Sequence, residues 1–175
     1  MTLAIAFGLV FTSFVLSTIL TSVARKSAIK KNFVSRPSKD RYSQSVIALG
    51  GGIAIFWTIA LMLFAGFLNV KFLVPPGRLD WLGERVTIHA KGFLDNANSL
   101  FVVIVAALAL HLTGLWDDKH HPGAFTKLLL QFAITTFAAV FGDIRVELFI
   151  ENEFITTALS VVWMVGIINV FNFLA

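Results

Sequence analysis

Cysteine is absent from this 175-residue sequence. That excludes disulfides and cysteine-ligated zinc or iron–sulfur centres, while leaving the compartment open. Charge is scarce too: Asp, Glu, Lys and Arg make up 14% of residues, where a soluble domain carries about 25%. With 57% hydrophobic residues, so little charge excludes an ordinary soluble fold. Alternating polar and apolar segments long enough for the strands of an outer-membrane barrel are lacking, which argues against that fold. Internal repeats and low-complexity tracts are missing as well. What is present is a set of long uncharged apolar runs separated by polar loops, the pattern of a helical membrane protein. The net charge of +4 is then a matter of membrane topology before it is a sign of nucleic acid.

Five runs approach the roughly 20 residues that a helix needs to cross about 30 Å of hydrocarbon. They are Leu3–Val23, Val46–Leu68, Ser99–Trp116, Phe125–Phe141, and Ile155 to the chain end. The expected fold is therefore all-α and polytopic, with about five transmembrane helices. The fourth run is short and relies on Lys127 reaching toward the interface. The first is not a signal peptide: its positive charges follow the apolar run, which is long enough to span.

Loop charge sets the orientation. Residues 24–45 carry Arg25, Lys26, Lys30, Lys31, Arg36, Lys39 and Arg41 against Asp40. The positive-inside rule puts this stretch in the cytoplasm and the amino terminus outside. Alternating crossings then put the loop after the third span, and the end of the fifth, on the inside. The intervening loops, 69–98 and 142–154, hold seven acids against five Lys and Arg. The first contains the turn signal Pro75-Pro76-Gly77. The second alternates polar and apolar residues, as a short external strand or β-hairpin would.

Several features converge on the inner side. Asp117 and Asp118 close an apolar helix, where two adjacent carboxylates repel one another and oppose the helix dipole. Either a cation such as Mg²⁺ compensates them, which suits carboxylate and phosphate oxygens, or they are solvated acids at the membrane boundary. Lys127 and Gln131 lie four residues apart on one helix face; the lysine can pair with the aspartates, bind a phosphate, or anchor the interface. Asn169 and Asn172 share a face three residues apart, and such amides are costly in an apolar span unless hydrogen-bonded. They bind metal, bind a polar substrate, or bridge helices. Gly50-Gly51-Gly52 permits close backbone approach. His120 and His121 lack the helical spacing of paired histidine ligands, and His111 reads as a helix–helix hydrogen-bonding residue.

Taken together, these residues resemble the polyprenyl-phosphate N-acetylhexosamine-1-phosphate transferases (glycosyltransferase family 4), and the pieces occur in that family's order. Arg36-Pro37 with the following basic residues and Ala48-Leu49-Gly50-Gly51-Gly52 resembles its first cytoplasmic loop. Gly114-Leu115-Trp116-Asp117-Asp118 resembles its Gly-x-x-Asp-Asp motif, and Lys127 with Gln131 its following Lys-x-x-x-Gln. Asn169-Val170-Phe171-Asn172 resembles the opening of its Asn-x-x-Asn-x-x-Asp-Gly motif. Departures are Tyr42 and Ser43 where a histidine is usual, Ala48 for a frequent proline, and Ala175 where many bacterial members have aspartate.

The resemblance implies one membrane domain over residues 1–175, corresponding to the N-terminal half of a ten- or eleven-span enzyme in the inner (plasma) membrane. It implies transfer of N-acetylhexosamine-1-phosphate from a UDP-sugar such as UDP-GlcNAc to polyprenyl (undecaprenyl) phosphate at the cytoplasmic face, with release of UMP. The family's products feed cell-wall and envelope polysaccharide synthesis. It further implies Asp117 and Asp118 as catalytic residues, and Lys127, Asn169, Asn172, Arg36 and Arg41 as substrate-binding residues. Mg²⁺ (or Mn²⁺) is the implied cofactor, held by Asp117, Asp118 and Asn172, and a homodimer is an implied assembly. Two other classes remain open from the residues alone: a transporter or channel subunit lined by His111, Asn169 and Asn172, and a non-catalytic membrane remnant.

Overall fold

The computed structural model describes residues 2–35, 47–73, 83–120, 122–147 and 149–174. The elements are α1 (Thr2–Lys30), β1 (Val34–Ser35), β2 (Ile47–Ala48), α2 (Gly51–Leu73), α3 (Glu84–Asp95), α4 (Ala97–His120), α5 (Ala124–Phe141) and α6 (Glu153–Leu174). Five of the helices, all but α3, are long and apolar enough to cross a membrane, as the hydrophobic runs predict. Large apolar side chains such as Phe7, Phe14, Phe101 and Trp163 are about two-thirds exposed on them, as is stable for side chains that meet lipid instead of water. The protein is thus a helical polytopic membrane protein, with one two-residue β-ladder outside the helices. It divides into two compact units, Met1–Leu94 and Asp95–Ala175.

In the first unit α1 packs against α2. The helix α1 runs seven residues beyond the expected Val23, and Lys30 in its last turn suits the helix dipole. It ends in a left-handed residue, Asn32 (φ 54°). The Phe33 amide donates to the Ala28 carbonyl (2.8 Å) and the Asn32 amide to that of Ile29 (3.1 Å), which satisfies the last carbonyls of the helix. Val34 then pairs with Ala48 and Ser35 with Ile47 in a short antiparallel ladder. Because Ile47 and Ala48 are used there, α2 starts at Gly51 and not at Val46. Gly50 makes the corner at φ 93°, a conformation only glycine adopts without strain. The stretch after α2 is more than a loop: α3 forms because Val86, Ala90 and Phe93–Leu94 recur at helical spacing.

In the second unit α5 lies between α4 and α6 and packs on both. Its start meets the end of α4 and the end of α6, so it runs antiparallel to each. Its packed stripe is Gln131, Thr135, Ala138 and Ala139. Opposite stand Thr156, Ser160, Val161 and Val165 of α6 and Val102 and Ala106 of α4. Small side chains let backbones approach, which is how helices associate where lipid removes the hydrophobic drive. The buried hydroxyls return to their own helices: Thr135 Oγ1 donates to the Gln131 carbonyl (2.7 Å) and Ser160 Oγ to that of Thr156 (2.7 Å).

The connection from α5 to α6 corrects one expectation. Among the described residues of 142–154 there is no strand; a set of turns is pinned instead by side chains. Arg145 pairs with Asp143 (2.6 Å) and Glu153 (3.1 Å), and these hydrogen bonds hold its guanidinium pKa above the ordinary arginine value. The Val146 amide donates to Ser160 Oγ (2.8 Å), so it is spent on α6 and not on a partner strand. Asn152 Oδ1 accepts from the amides of Phe154 (3.0 Å) and Ile155 (3.2 Å), an N-cap that starts α6 at Glu153, two residues before the expected Ile155.

Gly142 closes α5 in an ordinary right-handed conformation, so space and not backbone freedom demands glycine. A Cβ there would lie 2.6 Å from the Ala138 carbonyl oxygen and 3.2 Å from Val102 Cγ1 of α4. Gly142→Ala should cost about 1–3 kcal/mol by overpacking, read as a lowered thermal midpoint in detergent micelles. An unchanged midpoint would contradict the close approach of α4 to this turn.

Candidate active site at the mouth of the three-helix unit

The helix α4 passes through the acidic pair and ends at His120, four residues beyond the expected Trp116. Lys119 and His120 occupy its last turn and offset two carboxylates at the unfavourable end of a helix. Pro122 then prevents continuation. The pair is therefore helical, and its neighbours diverge by about 100° around the axis. Asp117 falls on the stripe of Val102, Ala106 and Thr113 that faces α5. Asp118 points away from that stripe and is exposed.

The cationic partner expected for the pair is Lys127. Its Nζ donates to Asp117 Oδ2 at 2.5 Å, with each side chain about one-quarter exposed. This joins the end of α4 to the start of α5. One turn further along α5, on the same face, Gln131 is 2% exposed. Its Oε1 accepts from Asn169 Nδ2 of α6 at 2.6 Å. The Asn169 amide nitrogen also donates to the Val165 carbonyl at 2.9 Å. Asp117, Lys127, Gln131 and Asn169 thus form a polar seam across three helices. Asn172, three residues beyond Asn169, is exposed at the same end.

Other candidates separate from this cluster. His111 lies two turns inside α4, half-buried. The His120 ring lies 6.4 Å from that of Trp116, on helix α4 and not in a loop. Arg36, Lys39, Arg41 and His121 fall outside the described residues, as does Ala175. Among the described residues no three His, Asp or Glu side chains gather as a metal-binding group. The hard oxygen donors are the carboxylates of Asp117 and Asp118 and the amide of Asn172. Carboxylate and amide oxygens are donor types that Mg²⁺ takes, but Asp117 is engaged by Lys127 and Asp118 stands about 100° away around α4.

The bond between Gln131 and Asn169 was not foreseen in the sequence. The four-residue spacing of Lys127 and Gln131 marked a polar face, but nothing local told which neighbouring helix would meet it. A double-mutant cycle on Asp117→Asn and Lys127→Met should give a coupling on the order of 1 kcal/mol for this half-buried pair. Thermal unfolding in micelles reads it, and strictly additive effects would show that the two side chains do not interact.

Comparison with known proteins bears on the same residues. The family model for glycosyl transferase family 4 matches residues 100–175, a stretch that contains the whole seam and Asn172. A probable undecaprenyl-phosphate N-acetylglucosaminyl 1-phosphate transferase of Bacillus subtilis (strain 168) is 23% identical over 162 residues. That alignment covers 88% of this chain and 38% of the relative, so the chain spans well under half of that protein's length. No solved structure matches. The stretch that is similar to glycosyl transferase family 4 is thus the unit of α4, α5 and α6, in which the matched motifs are packed together.

Proposed function

We propose that this chain supplies part of the active site of a membrane transferase that moves N-acetylhexosamine-1-phosphate from a UDP-sugar to polyprenyl phosphate. The observation that carries this reading is the polar seam Asp117–Lys127 and Gln131–Asn169 at one end of three otherwise apolar helices. A lipid phosphate keeps its tail in the bilayer and its headgroup at the surface, so a site for it belongs at a helix mouth. The related Bacillus protein is named for such a reaction. A transport path would instead favour polar groups near the midplane.

In the proposed reaction an oxygen of the lipid phosphate attacks the β-phosphorus of the UDP-sugar. The bond from that phosphorus to the bridging oxygen breaks, and UMP leaves with the electron pair. The charge on two phosphate-bearing substrates has to be balanced. Lys127 does part of this, its ammonium standing at the mouth on a side chain that α5 holds in place. One carboxylate of the Asp117–Asp118 pair accepts the proton if the lipid phosphate arrives protonated. A Mg²⁺ ion held by Asp117, Asp118 and Asn172 would neutralise pyrophosphate charge and stabilise the leaving group.

We infer that this mouth faces the cytoplasm, where nucleotide sugars are made. The support is the run of seven Lys and Arg in residues 24–45, which the positive-inside rule assigns to that side. Arg36 and Arg41 from this run would draw the anionic substrates to the inner face.

The test is UMP release by the protein in its native membrane, given polyprenyl phosphate, a UDP-N-acetylhexosamine and Mg²⁺. Removing the ion by chelation should abolish release. Asp117→Asn and Asp118→Asn should each lower the rate by about 100-fold or more, as loss of a charged catalytic group does. Full activity in both variants would refute the role given to the pair.

A further inference from the structure

We propose that Gln131 is a positioning residue and Asn169 its strut, so that Asn172 is the α6 amide left to meet substrate. This rests on the transferase reading for its functional half and on geometry for the rest. An amide nitrogen carries two hydrogens. Those of Asn169 are spent on Gln131 Oε1 (2.6 Å) and on the Val165 carbonyl (2.9 Å), which leaves the group no donor for a phosphate or a sugar hydroxyl. Gln131 is 2% exposed and cannot reach a ligand from its place between the helices. Its backbone carbonyl is engaged by Thr135 Oγ1, which ties the same turn of α5 to the packed stripe below.

The position of this link explains what it does. Lys127 stands four residues before Gln131 on α5, about 6 Å nearer the mouth along the axis. Asn172 stands three residues after Asn169 on α6, about 4.5 Å nearer the mouth. The two helices are antiparallel, so both groups emerge at the same end, one turn above the link. A slip of one residue between α5 and α6 would shift one group about 1.5 Å against the other and rotate it by about 100°. Apolar contacts between Ala139, Val161 and Val165 tolerate such a slip poorly, but they do not specify register as a buried pair of amides does. The hydrogen bond therefore fixes where Lys127 and Asn172 stand relative to one another.

The decisive experiment is a reciprocal exchange. Gln131→Asn and Asn169→Gln each break the bond by changing its reach by one methylene, while the double variant restores the summed length. Two readouts are needed: the thermal midpoint in micelles, and the KM and kcat of UMP release by the whole protein in its membrane. Each single variant should lower the midpoint by about 2–8 °C and kcat by about tenfold or more, with KM within about threefold of wild type. The double variant should recover most of both losses. Asn172→Ala should leave the midpoint unchanged while lowering turnover.

A double variant no better than the poorer single one, in midpoint as well as rate, would overturn the proposal. So would an Asn169→Gln protein with a wild-type midpoint and a raised KM, because Asn169 would then be a ligand. Wild-type protein that releases no UMP would refute the transferase reading alone. The midpoint comparison would still decide whether the two amides act as a strut.

Discussion

A polar side chain inside a bilayer has to find its partner within the protein, because no water is there to supply one. The helix α5 carries three such side chains on one face, Lys127, Gln131 and Thr135, one turn apart. Lys127 finds Asp117 of α4, Gln131 finds Asn169 of α6, and Thr135 returns to its own backbone. These requirements decide which face of α5 is buried and which neighbours it takes. The small residues below them, Ala138, Ala139 and Gly142, allow the approach but do not select it.

The same constraint joins structure to chemistry. An aspartate pair at the carboxy end of a helix is poorly placed, and the groups that make it tolerable are the ones a phosphate transfer needs. Lys127 compensates Asp117, and in the proposed reaction the same ammonium offers a positive charge to an arriving phosphate. Lys119 and His120 reduce the helix-end penalty from the next turn of α4. Separation of the two carboxylates by about 100° gives them different surroundings: Asp117 faces α5 and its lysine, and Asp118 faces the exposed side. Two acids in different surroundings suit divided roles better than two equivalent ones.

Much of this was legible in the residues. The five spans follow from hydrophobic length alone, and Phe125–Phe141 was placed within one residue of α5. Pairing with the aspartates was one of three readings that the charge of Lys127 allowed, and it is the one observed, with Asp117. What was hidden depended on contacts between distant segments. The helix α3 was concealed because its apolar stripe is too short to span and its composition is that of a loop. The extent of α4 past the aspartate pair was hidden because the apolar run stops at Trp116, while the backbone continues to His120, just before Pro122. The expected strand after α5 failed because alternation does not reveal that Ser160 and Glu153 hold the polar groups of that turn. The Gln131–Asn169 bond joins residues 38 apart, and no local pattern specifies such a register.

We propose that this seam is the phosphate-binding mouth of a sugar-phosphate transferase. Titration of the protein in lipid nanodiscs with a UDP-N-acetylhexosamine in the presence of Mg²⁺ measures it most directly, with Lys127→Ala beside the wild type. The account predicts saturable binding that weakens by about tenfold or more when the ammonium is removed, the loss expected for a charge-assisted hydrogen bond to phosphate. Equal affinity in the two proteins would contradict it.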